Sequence, residues 1–300
     1  MPARLDFLSL ELTNHCNFDC SFCANHLMSR PKGFMDTALA RRLIREARDS
    51  RFCDHVVTNV MGEPLLHKGL FEILAYAGEV GQKMVVITNG GLLSEDVAFR
   101  FLEHSPASIG ISYHANNERA FCSRKAGLAF DDYEKKVRDF VEFKYRKGLK
   151  ADIYINVLST VKTPHESFQI LDSVEEIAEF SRTWRGFARA LQKKYRIRWL
   201  VPHALFPGSN ALLPGLSVFL LDSYHPWSNT IWPAGTTVRH ARECFCRTPF
   251  QQCDVLWIGD LTLCCIDYNG ELAFDNVNGK GLVETYRSLK AKKVRDAFVS

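Results

Sequence analysis

The first two hundred residues alternate short apolar runs with stretches of helical periodicity, and this alternation constrains the fold more than any other feature. A chain that returns to a strand after each helix forms parallel strands joined by right-handed crossovers. Six such repeats predict an α/β fold with a partial (β/α)6 TIM-like barrel, whose chemistry lies at the carboxyl ends of the strands. The predicted strands are Leu5–Leu12, His55–Met61, Met84–Thr88, Ser108–Tyr113, Asp152–Leu158 and Arg196–Val201.

Helix signals separate these strands. Asp36 and Ser94 each precede an amphipathic stretch, where a short polar side chain caps the first backbone N–H groups. The periodic segment that starts at Asp131 is expected to end at Gly148, because glycine readily adopts the left-handed conformation that closes a helix. The helical stretch over residues 165–194 is expected to be two helices with a break around Gly186.

The sequence changes character after residue 201. Residues 202–243 contain several Pro and Gly breakers between short apolar pieces, which indicates a linker or insertion near the active site. From residue 244 onward, two short strand-like runs and a helical stretch predict a small α+β module. We therefore expect a barrel over residues 1–201, a linker over 202–243 and a cysteine-bearing module over 244–300.

Charge and composition exclude several classes of protein. A net charge of +4 without a block of Lys or Arg does not indicate a nucleic-acid partner. The N-terminus lacks a signal-peptide core, and no apolar run reaches the ~20 residues needed to cross a bilayer, so no membrane partner is expected. We expect a cytoplasmic protein, in which thiols stay reduced. The ten cysteines fall mainly in two groups, near residue 20 and near residue 255, which indicates metal binding before disulfides.

Three cysteines, Cys16, Cys20 and Cys23, follow the first predicted strand with the spacing C-x₃-C-x₂-C. A structural zinc site takes four protein ligands, and a catalytic zinc site with three remains open, with His15 or His26 as further candidates. A [4Fe–4S] cluster held by three thiolates leaves one iron without a protein ligand, open to a substrate or cofactor. Buried thiols without a metal are the third alternative.

The cysteine spacing, with Phe22 immediately before the last cysteine, resembles the signature of the radical SAM superfamily. The resemblance implies that Cys16, Cys20 and Cys23 hold a [4Fe–4S] cluster whose open iron binds S-adenosyl-L-methionine, with Phe22 near the adenine. One electron from the reduced cluster then cleaves this cofactor to methionine and a 5′-deoxyadenosyl radical, which removes a hydrogen atom from the substrate. It further implies a flavodoxin- or ferredoxin-type electron donor.

Other strand ends also resemble elements of this family. The stretch NVMGEPLLH resembles its Gly-Gly-Glu-Pro element, although Met61 stands where the first glycine is common, and a plain turn is the alternative. The stretch VITNGG resembles its Thr-Asn-Gly strand end. The cofactor contacts that the resemblance implies are Gly62, Glu63, Pro64, Thr88, Asn89, Ser112 and Asn156. His114 is a candidate catalytic residue that could reach the substrate, with a purely structural histidine as the alternative.

The second cysteine group follows C-x₁₂-G-x₄-C through Cys246, Gly259 and Cys264, which resembles the start of a SPASM or twitch module. The resemblance implies an auxiliary iron–sulfur cluster at Cys246 and Cys264. Such modules usually add two cysteines after a following helix, whereas no cysteine follows Cys265 here. The sequence is therefore shortened, another cysteine substitutes, or the cluster is lost, and a hairpin without metal stays open. The possible substitutes are Cys244, Cys253 and Cys265.

Two reaction types place different demands on the remaining thiols. A radical epimerase needs a thiol that returns a hydrogen atom to the substrate, whereas a dehydrogenase needs an electron acceptor such as an auxiliary cluster. The possible hydrogen-atom donors are Cys122, Cys253 and Cys265. The alternative for an isolated cysteine such as Cys53 or Cys122 is a small buried hydrophobe.

The resemblance extends to twitch-bearing enzymes that oxidise or epimerise aminocyclitols and sugars in antibiotic biosynthesis. We therefore expect a small sugar-like substrate that loses a hydrogen atom from a carbinol carbon. A peptide-modifying enzyme is one alternative; such enzymes often carry an N-terminal leader-binding domain, so a predicted barrel that begins at residue 5 weakens it. A non-catalytic zinc-binding scaffold is another alternative. Candidates at the active-site mouth are Tyr113, His114, His203, His225, Trp227 and Trp232.

Overall fold

The structure is a computed structural model of the chain, and it describes residues 4–162, 168, 170–221 and 246–297. The chain divides into two compact units. The first comprises Met1–Cys16, Ala24–Ile87 and Thr236–Ser300, and the second comprises Asn17–Cys23 and Thr88–Gly235. Within the described ranges, no helix has both the length and the apolar character needed to span a membrane.

The described part of the chain contains ten strands and ten α-helices, with two short 3₁₀ helices at Ala24–Leu27 and Pro64–Leu66. The strands are β1 Leu5–Leu10, β2 Cys53–Thr58, β3 Met84–Thr88, β4 Ser108–Ser112, β5 Asp152–Leu158, β6 Gly208–Leu213, β7 Leu216–Leu221, β8 Gln252–Val255, β9 Asp260–Thr262 and β10 Asp275–Asn276. The helices are α1 Thr37–Asp49, α2 Leu70–Val80, α3 Glu95–Glu103, α4 Glu118–Cys122, α5 Phe130–Lys147, α6 Val174–Tyr195, α7 Thr248–Gln251, α8 Val277–Lys280, α9 Leu282–Arg287 and α10 Leu289–Ala297.

The first unit is built on a sheet with the strand order β10-β9-β8-β1-β2-β3. β1 pairs in parallel with β2 on one side and with β8 on the other, while β8, β9 and β10 pair in antiparallel fashion. Leu8 and Leu10 of β1 are fully buried, as expected for a strand with neighbours on both edges. The C-terminal hairpin is therefore part of the same sheet as the first strand.

The second unit has a four-stranded sheet with the order β4-β5-β7-β6. β4, β5 and β7 are parallel, and β6 pairs with β7 in a hairpin. An aromatic core packs beside this sheet, where the fully buried Tyr113 contacts Trp184 edge-to-face and Tyr133 at a centroid distance of 5.5 Å. Tyr113 donates a hydrogen bond to the Glu134 carboxylate at 2.9 Å, so its prediction as a residue of the active-site mouth is wrong.

Five of the six predicted strands are present, but the sixth is wrong. Residues 196–201 form no strand, because Arg196 ends α6 in the left-handed conformation at φ 53° and leaves Leu200 82% exposed. The strand beside β5 is instead β7, within the region predicted as a linker. The sequence feature that could have revealed the β6–β7 hairpin is the Pro214–Gly215 turn. Gly215 has φ 72° and allows the chain to reverse between two apolar runs.

The helix boundaries follow the predicted caps. The Asp36 and Ser94 side chains accept hydrogen bonds from the first turns of α1 and α3, and Gly148 ends α5 with φ 75°. The predicted break at Gly186 is wrong, because α6 runs through it without interruption. Its buried stripe of Trp184, Ala188 and Leu191 continues across the glycine, and this packing outweighs the cost of about 1 kcal/mol for one glycine in a helix.

A carboxyl group without a good partner lies in the core of the first unit. Asp254 of β8 is fully buried, opposite Ser9 of β1 and Thr262 of β9. Among the described residues, neither of its carboxylate oxygens has a hydrogen-bond partner of normal geometry. Burial raises the pKa of Asp254 to about 6, although Ser9 and Gln252 lie close enough to lower it in part. The folded protein therefore keeps Asp254 protonated up to about pH 6, above the pH at which an exposed aspartic acid ionises.

This raised pKa predicts how stability depends on pH. Because the folded state holds the proton more tightly than the unfolded chain, the free energy of unfolding decreases as pH rises from about 4 to about 6, by up to about 3 kcal/mol. Asp254→Asn removes this penalty. We expect the variant to have a higher Tm than the unsubstituted protein, with a larger difference at pH 8 than at pH 5, measured by thermal unfolding at both pH values.

Asp267→Asn serves as the matched control. The Asp267 carboxylate accepts hydrogen bonds from Thr262 Oγ1 and from the backbone N–H groups of Glu271 and Leu272, at 2.9–3.0 Å. Its replacement should lower the Tm, since an amide offers fewer acceptors. A stability difference between Asp254→Asn and the unsubstituted protein that is equal at pH 5 and pH 8 would contradict the raised pKa of Asp254.

Candidate functional site

Cys16 follows β1 at the end of a segment that is held by side-chain hydrogen bonds within the first unit. Thr13 Oγ1 donates to the Gly33 carbonyl at 2.7 Å and accepts from the His15 N–H at 3.1 Å. Asn25 Nδ2 donates to the Asn14 carbonyl at 2.9 Å. These bonds fix the backbone that leads into the cysteine group, so the half-buried Cys16 leaves β1 on a defined path.

The predicted Gly-Glu-Pro turn packs directly against this segment. The Glu63 N–H donates to the His15 carbonyl at 2.8 Å. Gly62 has φ +83°, and a Cβ atom there would lie 2.1 Å from the Thr13 carbonyl oxygen, so no side chain fits. Glu63 is fully buried, and its Oε1 accepts from the Leu65 N–H at 3.1 Å, at the start of a 3₁₀ turn that begins with the buried Pro64.

Cys20 and Cys23 lie in the second unit on the loop 17–23, where both thiols are half-buried. The Cys23 N–H donates to the Cys20 carbonyl at 3.0 Å, which closes a tight turn between the two thiols. The loop is also anchored from outside: Asn89 Nδ2 donates to Asn17 Oδ1 at 2.8 Å. The loop conformation is therefore set by residues far away in the sequence.

Thr88 and Asn89, at the end of β3, have local roles in this structure. Thr88 is 1% exposed, and its Oγ1 accepts from the Gly90 N–H at 3.1 Å. Asn89 Oδ1 accepts from the Gly91 N–H at 2.8 Å. A Cβ atom on Gly91 would lie 2.5 Å from the Phe18 ring, so this glycine allows the cysteine loop to approach. A direct role of Thr88 and Asn89 in cofactor binding stays a prediction.

Ser112, Asn156 and His114 lie at the carboxyl ends of β4 and β5. Ser112 and Asn156 are register partners across the two strands. His114 has a left-handed backbone with φ 45°, which is uncommon outside glycine and clusters at functional sites. Its Nδ1 accepts from the Leu158 N–H at 3.1 Å, so the neutral ring carries its proton on Nε2.

The His114 ring is kept neutral and packed against Phe22. Burial and the nearby Arg124 lower the pKa of His114 to about 3. The Phe22 ring meets it edge-to-face with centroids 5.8 Å apart, and Phe168 lies 5.7 Å from Phe22. A neutral imidazole of this kind can donate a hydrogen bond but cannot act as a cation between pH 5 and pH 9.

Three cysteines of the second group, Cys253, Cys264 and Cys265, lie in or shortly after the β8–β9 hairpin of the first unit. Gly259, at its turn, has φ +96°, and a Cβ atom there would lie 2.8 Å from Asn278 Nδ2. Cys264 follows β9, and its carbonyl accepts from the Asp267 N–H at 3.1 Å. Burial raises the pKa of Cys264, and the charges of Cys246 and of nearby acids add to this effect. Cys246 and Cys264 therefore lie within electrostatic range of one another.

The three candidate hydrogen-atom donors occupy different environments. Cys122 is exposed at the end of α4, with its Sγ 3.8 Å from Glu118 Oε1. Cys253 is fully buried in β8, and its pKa is raised well above the ordinary value by burial and by Asp254. Cys265 is half-buried beside Cys264, and burial raises its pKa to about 12. Their roles stay predictions.

Two other residues named in the sequence analysis, Cys53 and His203, lie outside the loop 17–23. Cys53 is buried in β2, as expected of a small apolar side chain, and burial raises its pKa to about 12. His203 is exposed, and its carbonyl accepts a hydrogen bond from Arg185. Four residues named in the sequence analysis lie outside the described residues: His225, Trp227, Trp232 and Cys244.

Sequence reasoning missed buried charged groups in both units. Glu11 and Arg30 form a two-pronged ion pair inside the first unit, where Glu11 has no exposed side-chain surface. Arg124 is 1% exposed in the second unit. No local signal separates these residues from surface charges, because each stands in an otherwise ordinary polar stretch and is buried by distant parts of the chain.

The residues present fit an iron–sulfur cluster by their chemistry. Thiolates are the ligands that [4Fe–4S] clusters take, and the loop that carries Cys20 and Cys23 is anchored by several bonds, as a cluster-binding loop needs. In the ranges that the structure describes, no group of three or more His, Cys, Asp or Glu side chains is already arranged to hold a metal ion. Final positioning of the thiols would therefore accompany cluster binding.

Comparisons with known proteins agree with the cysteine motifs. A family model of the radical SAM superfamily matches residues 10–158, and a model of the iron–sulfur cluster-binding domain SPASM matches residues 244–299. A probable GTP 3′,8-cyclase of Saccharolobus islandicus is 23% identical over 263 residues, covering 77% of this chain and 78% of that protein. The S-adenosyl-L-methionine-dependent 2-deoxy-scyllo-inosamine dehydrogenase of Niallia circulans is 27% identical over 140 residues. This match covers 46% of this chain and 56% of that protein.

Solved structures show the same fold. BtrN in complex with AdoMet and 2-DOIA matches with a TM-score of 0.55 and 18% identity, covering 99% of this chain and 88% of that chain. Streptococcus suis SuiB bound to S-adenosylmethionine matches with a TM-score of 0.61 and 15% identity, covering 98% of this chain and 68% of that chain. These matches confirm the expected TIM-like α/β barrel with a C-terminal SPASM module.

Both cysteine groups thus lie within matched family models, and the named relatives are enzymes. This favours an enzyme over a non-catalytic zinc-binding scaffold. Its cofactors are [4Fe–4S] clusters and S-adenosyl-L-methionine. The chain belongs to the radical SAM superfamily and is an enzyme of its SPASM branch.

Proposed function

We propose that this enzyme dehydrogenates a sugar- or aminocyclitol-like small molecule at a carbinol carbon, with its catalytic cluster on Cys16, Cys20 and Cys23. The observation that carries the substrate class is the similarity to the 2-deoxy-scyllo-inosamine dehydrogenase, joined to the match with BtrN over 99% of this chain. When bound, the cluster and S-adenosyl-L-methionine supply a hydrogen-abstracting radical. An electron donor of flavodoxin or ferredoxin type would deliver the electron.

The chain's own residues would hold and orient the cofactor. The Gly62–Glu63 turn, bonded to the His15 carbonyl beside Cys16, offers backbone carbonyls and the Glu63 carboxylate to the ammonium group of S-adenosylmethionine. In the second unit, Phe22 would pack on the adenine. Contacts to the rest of the cofactor would come from Pro64, Thr88, Asn89, Ser112 and Asn156.

His114 would contact the substrate as a neutral donor. Its Nδ1 is occupied by the Leu158 N–H, which leaves Nε2–H to donate a hydrogen bond. A polyhydroxylated substrate offers hydroxyl acceptors, and a neutral donor recognises them without the desolvation cost of a charge. Because the pKa of His114 lies near 3, this contact would not change with pH in the working range of the enzyme.

The SPASM module favours dehydrogenation. Removal of a hydrogen atom from a carbinol carbon must be followed by loss of the hydroxyl proton and of one more electron to form a ketone. The module that matches the iron–sulfur domain carries Cys246 and Cys264, which would hold an acceptor for this electron. A second candidate reaction is epimerisation, which the half-buried Cys265 beside Cys264 supports as a hydrogen-atom donor.

The cysteine assignment predicts which substitutions abolish cofactor cleavage. Cys16→Ala, Cys20→Ala and Cys23→Ala should each abolish formation of 5′-deoxyadenosine, because each removes one of three thiolates that hold the cluster. Cys53→Ala is the control, since this buried thiol lies in β2 outside the loop. The measurement is 5′-deoxyadenosine released by anaerobically reconstituted, chemically reduced protein. Cleavage that survives the loss of Cys20 would contradict the assignment.

The proposed auxiliary cluster at Cys246 and Cys264 predicts how many iron atoms each chain binds. Cys246→Ala and Cys264→Ala should each lower bound iron from about eight atoms per chain to about four, as expected when one of two [4Fe–4S] clusters is lost. Cys122→Ala should leave the iron content unchanged, because this thiol is exposed on α4. Iron and sulfide analysis of reconstituted protein gives the answer. A content of about four iron atoms per chain in the unsubstituted protein would contradict the proposed auxiliary cluster.

The reaction itself is tested with substrates in deuterated water. Incubation with a panel of aminocyclitols and sugars should give a ketone two mass units lighter than its substrate. An epimerised product with one solvent-derived deuterium would instead support the second candidate, and Cys265→Ala should then stop turnover but not 5′-deoxyadenosine formation. GTP and ribosomal peptides belong in the same panel, and turnover of either alone would overturn the proposed substrate class.

A further inference from the structure

Arg124 is a buried cation without a carboxylate partner among the described residues. It is 1% exposed, although an isolated buried charge is costly. Its Nη1 donates to the Tyr113 carbonyl and to Tyr133 Oη, both at 2.8 Å, and its Nη2 donates to the Asn89 carbonyl at 3.0 Å. None of these acceptors carries a negative charge at neutral pH. The fold therefore places a permanent positive charge here and leaves it to be balanced by another group.

Aromatic rings enclose this cation. The guanidinium carbon lies 4.8 Å from the centroid of Phe18, 5.0 Å from that of Tyr133 and 5.9 Å from that of Phe121. Phe18 belongs to the loop that carries Cys20 and Cys23, so the cation and the cysteine loop are packed together. The rings exclude water, and electrostatic interactions of Arg124 are consequently stronger than at a surface.

Three consecutive residues around Arg124 meet three consecutive residues of the loop. The Ser21 N–H donates to the Ser123 carbonyl at 2.8 Å, and Lys125 Nζ lies 3.6 Å from the Asp19 carboxylate. Between these two contacts, the Arg124 guanidinium lies near Cys20, and a thiolate there helps to raise the pKa of Arg124. Arg124 thus lies beside a thiol that is assigned to the cluster.

We propose that Arg124 is a positioning residue for the [4Fe–4S] cluster: it hydrogen-bonds the Cys20 thiolate, holds the loop in place and raises the reduction potential of the cluster. The physical reason is that reduction adds a negative charge, which a nearby buried cation stabilises more than it stabilises the oxidised form. The inference rests on the proposed assignment of the cluster to Cys16, Cys20 and Cys23.

The test compares Arg124→Gln, which removes the charge, with Arg124→Lys, which keeps it. Arg138→Gln is the matched control, because Arg138 lies in the same unit, packs 5.3 Å from the Phe187 ring and bonds Glu134 rather than a cysteine. The midpoint potential is measured on reconstituted full-length protein by a redox titration followed by electron paramagnetic resonance. S-adenosylmethionine is absent during the titration and is added afterwards to identify, by its spectral change, the signal of its cluster.

We expect Arg124→Gln to shift this midpoint potential to more negative values, Arg124→Lys to shift it less, and Arg138→Gln to leave it unchanged. A potential of Arg124→Gln equal to that of the unsubstituted protein would overturn the inference. A merely structural role would lower the yield of folded protein without moving the potential. If the unsubstituted protein bound no iron, the proposed assignment of the cluster to Cys16, Cys20 and Cys23 would itself be wrong. This outcome can be told apart from an unchanged midpoint potential of Arg124→Gln.

A second measurement does not depend on whether Arg124→Gln folds. Unsubstituted protein labelled with ¹⁵N-arginine is reduced, and electron–nuclear double resonance is recorded on the same cluster signal. We expect a ¹⁵N coupling from a guanidinium close to the cluster, and its loss in Arg124→Lys. A spectrum of the unsubstituted protein without this coupling would overturn the inference.

Discussion

The parallel pairing of β1 with a neighbour on each side organises the first unit. β2 and β8 are both hydrogen-bonded to it, so the C-terminal hairpin adds directly to the sheet that begins the chain. Parallel strands end at the same edge of a sheet, which places the segment before Cys16 next to the Gly62 turn that follows β2. The turn after β8 is joined to β1 by the Trp257 N–H, which donates to Glu11 Oε2 at 3.2 Å. Within the first unit, Cys16 and the C-terminal cysteine module are therefore extensions of one sheet.

Buried charged groups lie close to both cysteine groups. Burial raises the pKa of Glu11, but Arg30 opposes this effect through a two-pronged ion pair, so that site is balanced within the protein. Asp254 and Arg124 form no such two-pronged ion pair among the described residues. An unbalanced buried charge costs stability and is retained where it has a use. Here one such charge lies in the SPASM module and the other beside the cysteine loop.

Local signals were sufficient for much of the fold. Caps at Asp36 and Ser94 and the glycine at 148 were predicted correctly, because capping depends on a few neighbouring residues. The strand predicted at residues 196–201 was wrong, because among the described residues this segment has no neighbouring strand to pair with. β7 instead pairs with β5. The helix through Gly186 was missed because its stability comes from packing against distant residues.

The residues of the candidate site also divide into those that local sequence reveals and those whose place depends on the whole fold. Thiol spacing and the Gly-Glu-Pro turn were readable in the sequence because both act over a few residues. Arg124 was not readable, since its burial depends on rings from Phe18, Phe121 and Tyr133, which only the fold brings around it. Tyr113 was misplaced for the converse reason: a polar aromatic residue at a strand end can turn into the core when a carboxylate such as Glu134 meets its hydroxyl.

The exposure of Cys122 has a practical consequence. The other cysteines among the described residues are half-buried or fully buried, so a thiol-reactive dye applied to the intact protein would attach at Cys122 first. This residue directly precedes Ser123, whose carbonyl holds the Ser21 N–H of the cysteine loop. A fluorophore on that sulfur would sit next to the loop and could report, in real time, how its backbone orders as iron and sulfide are loaded.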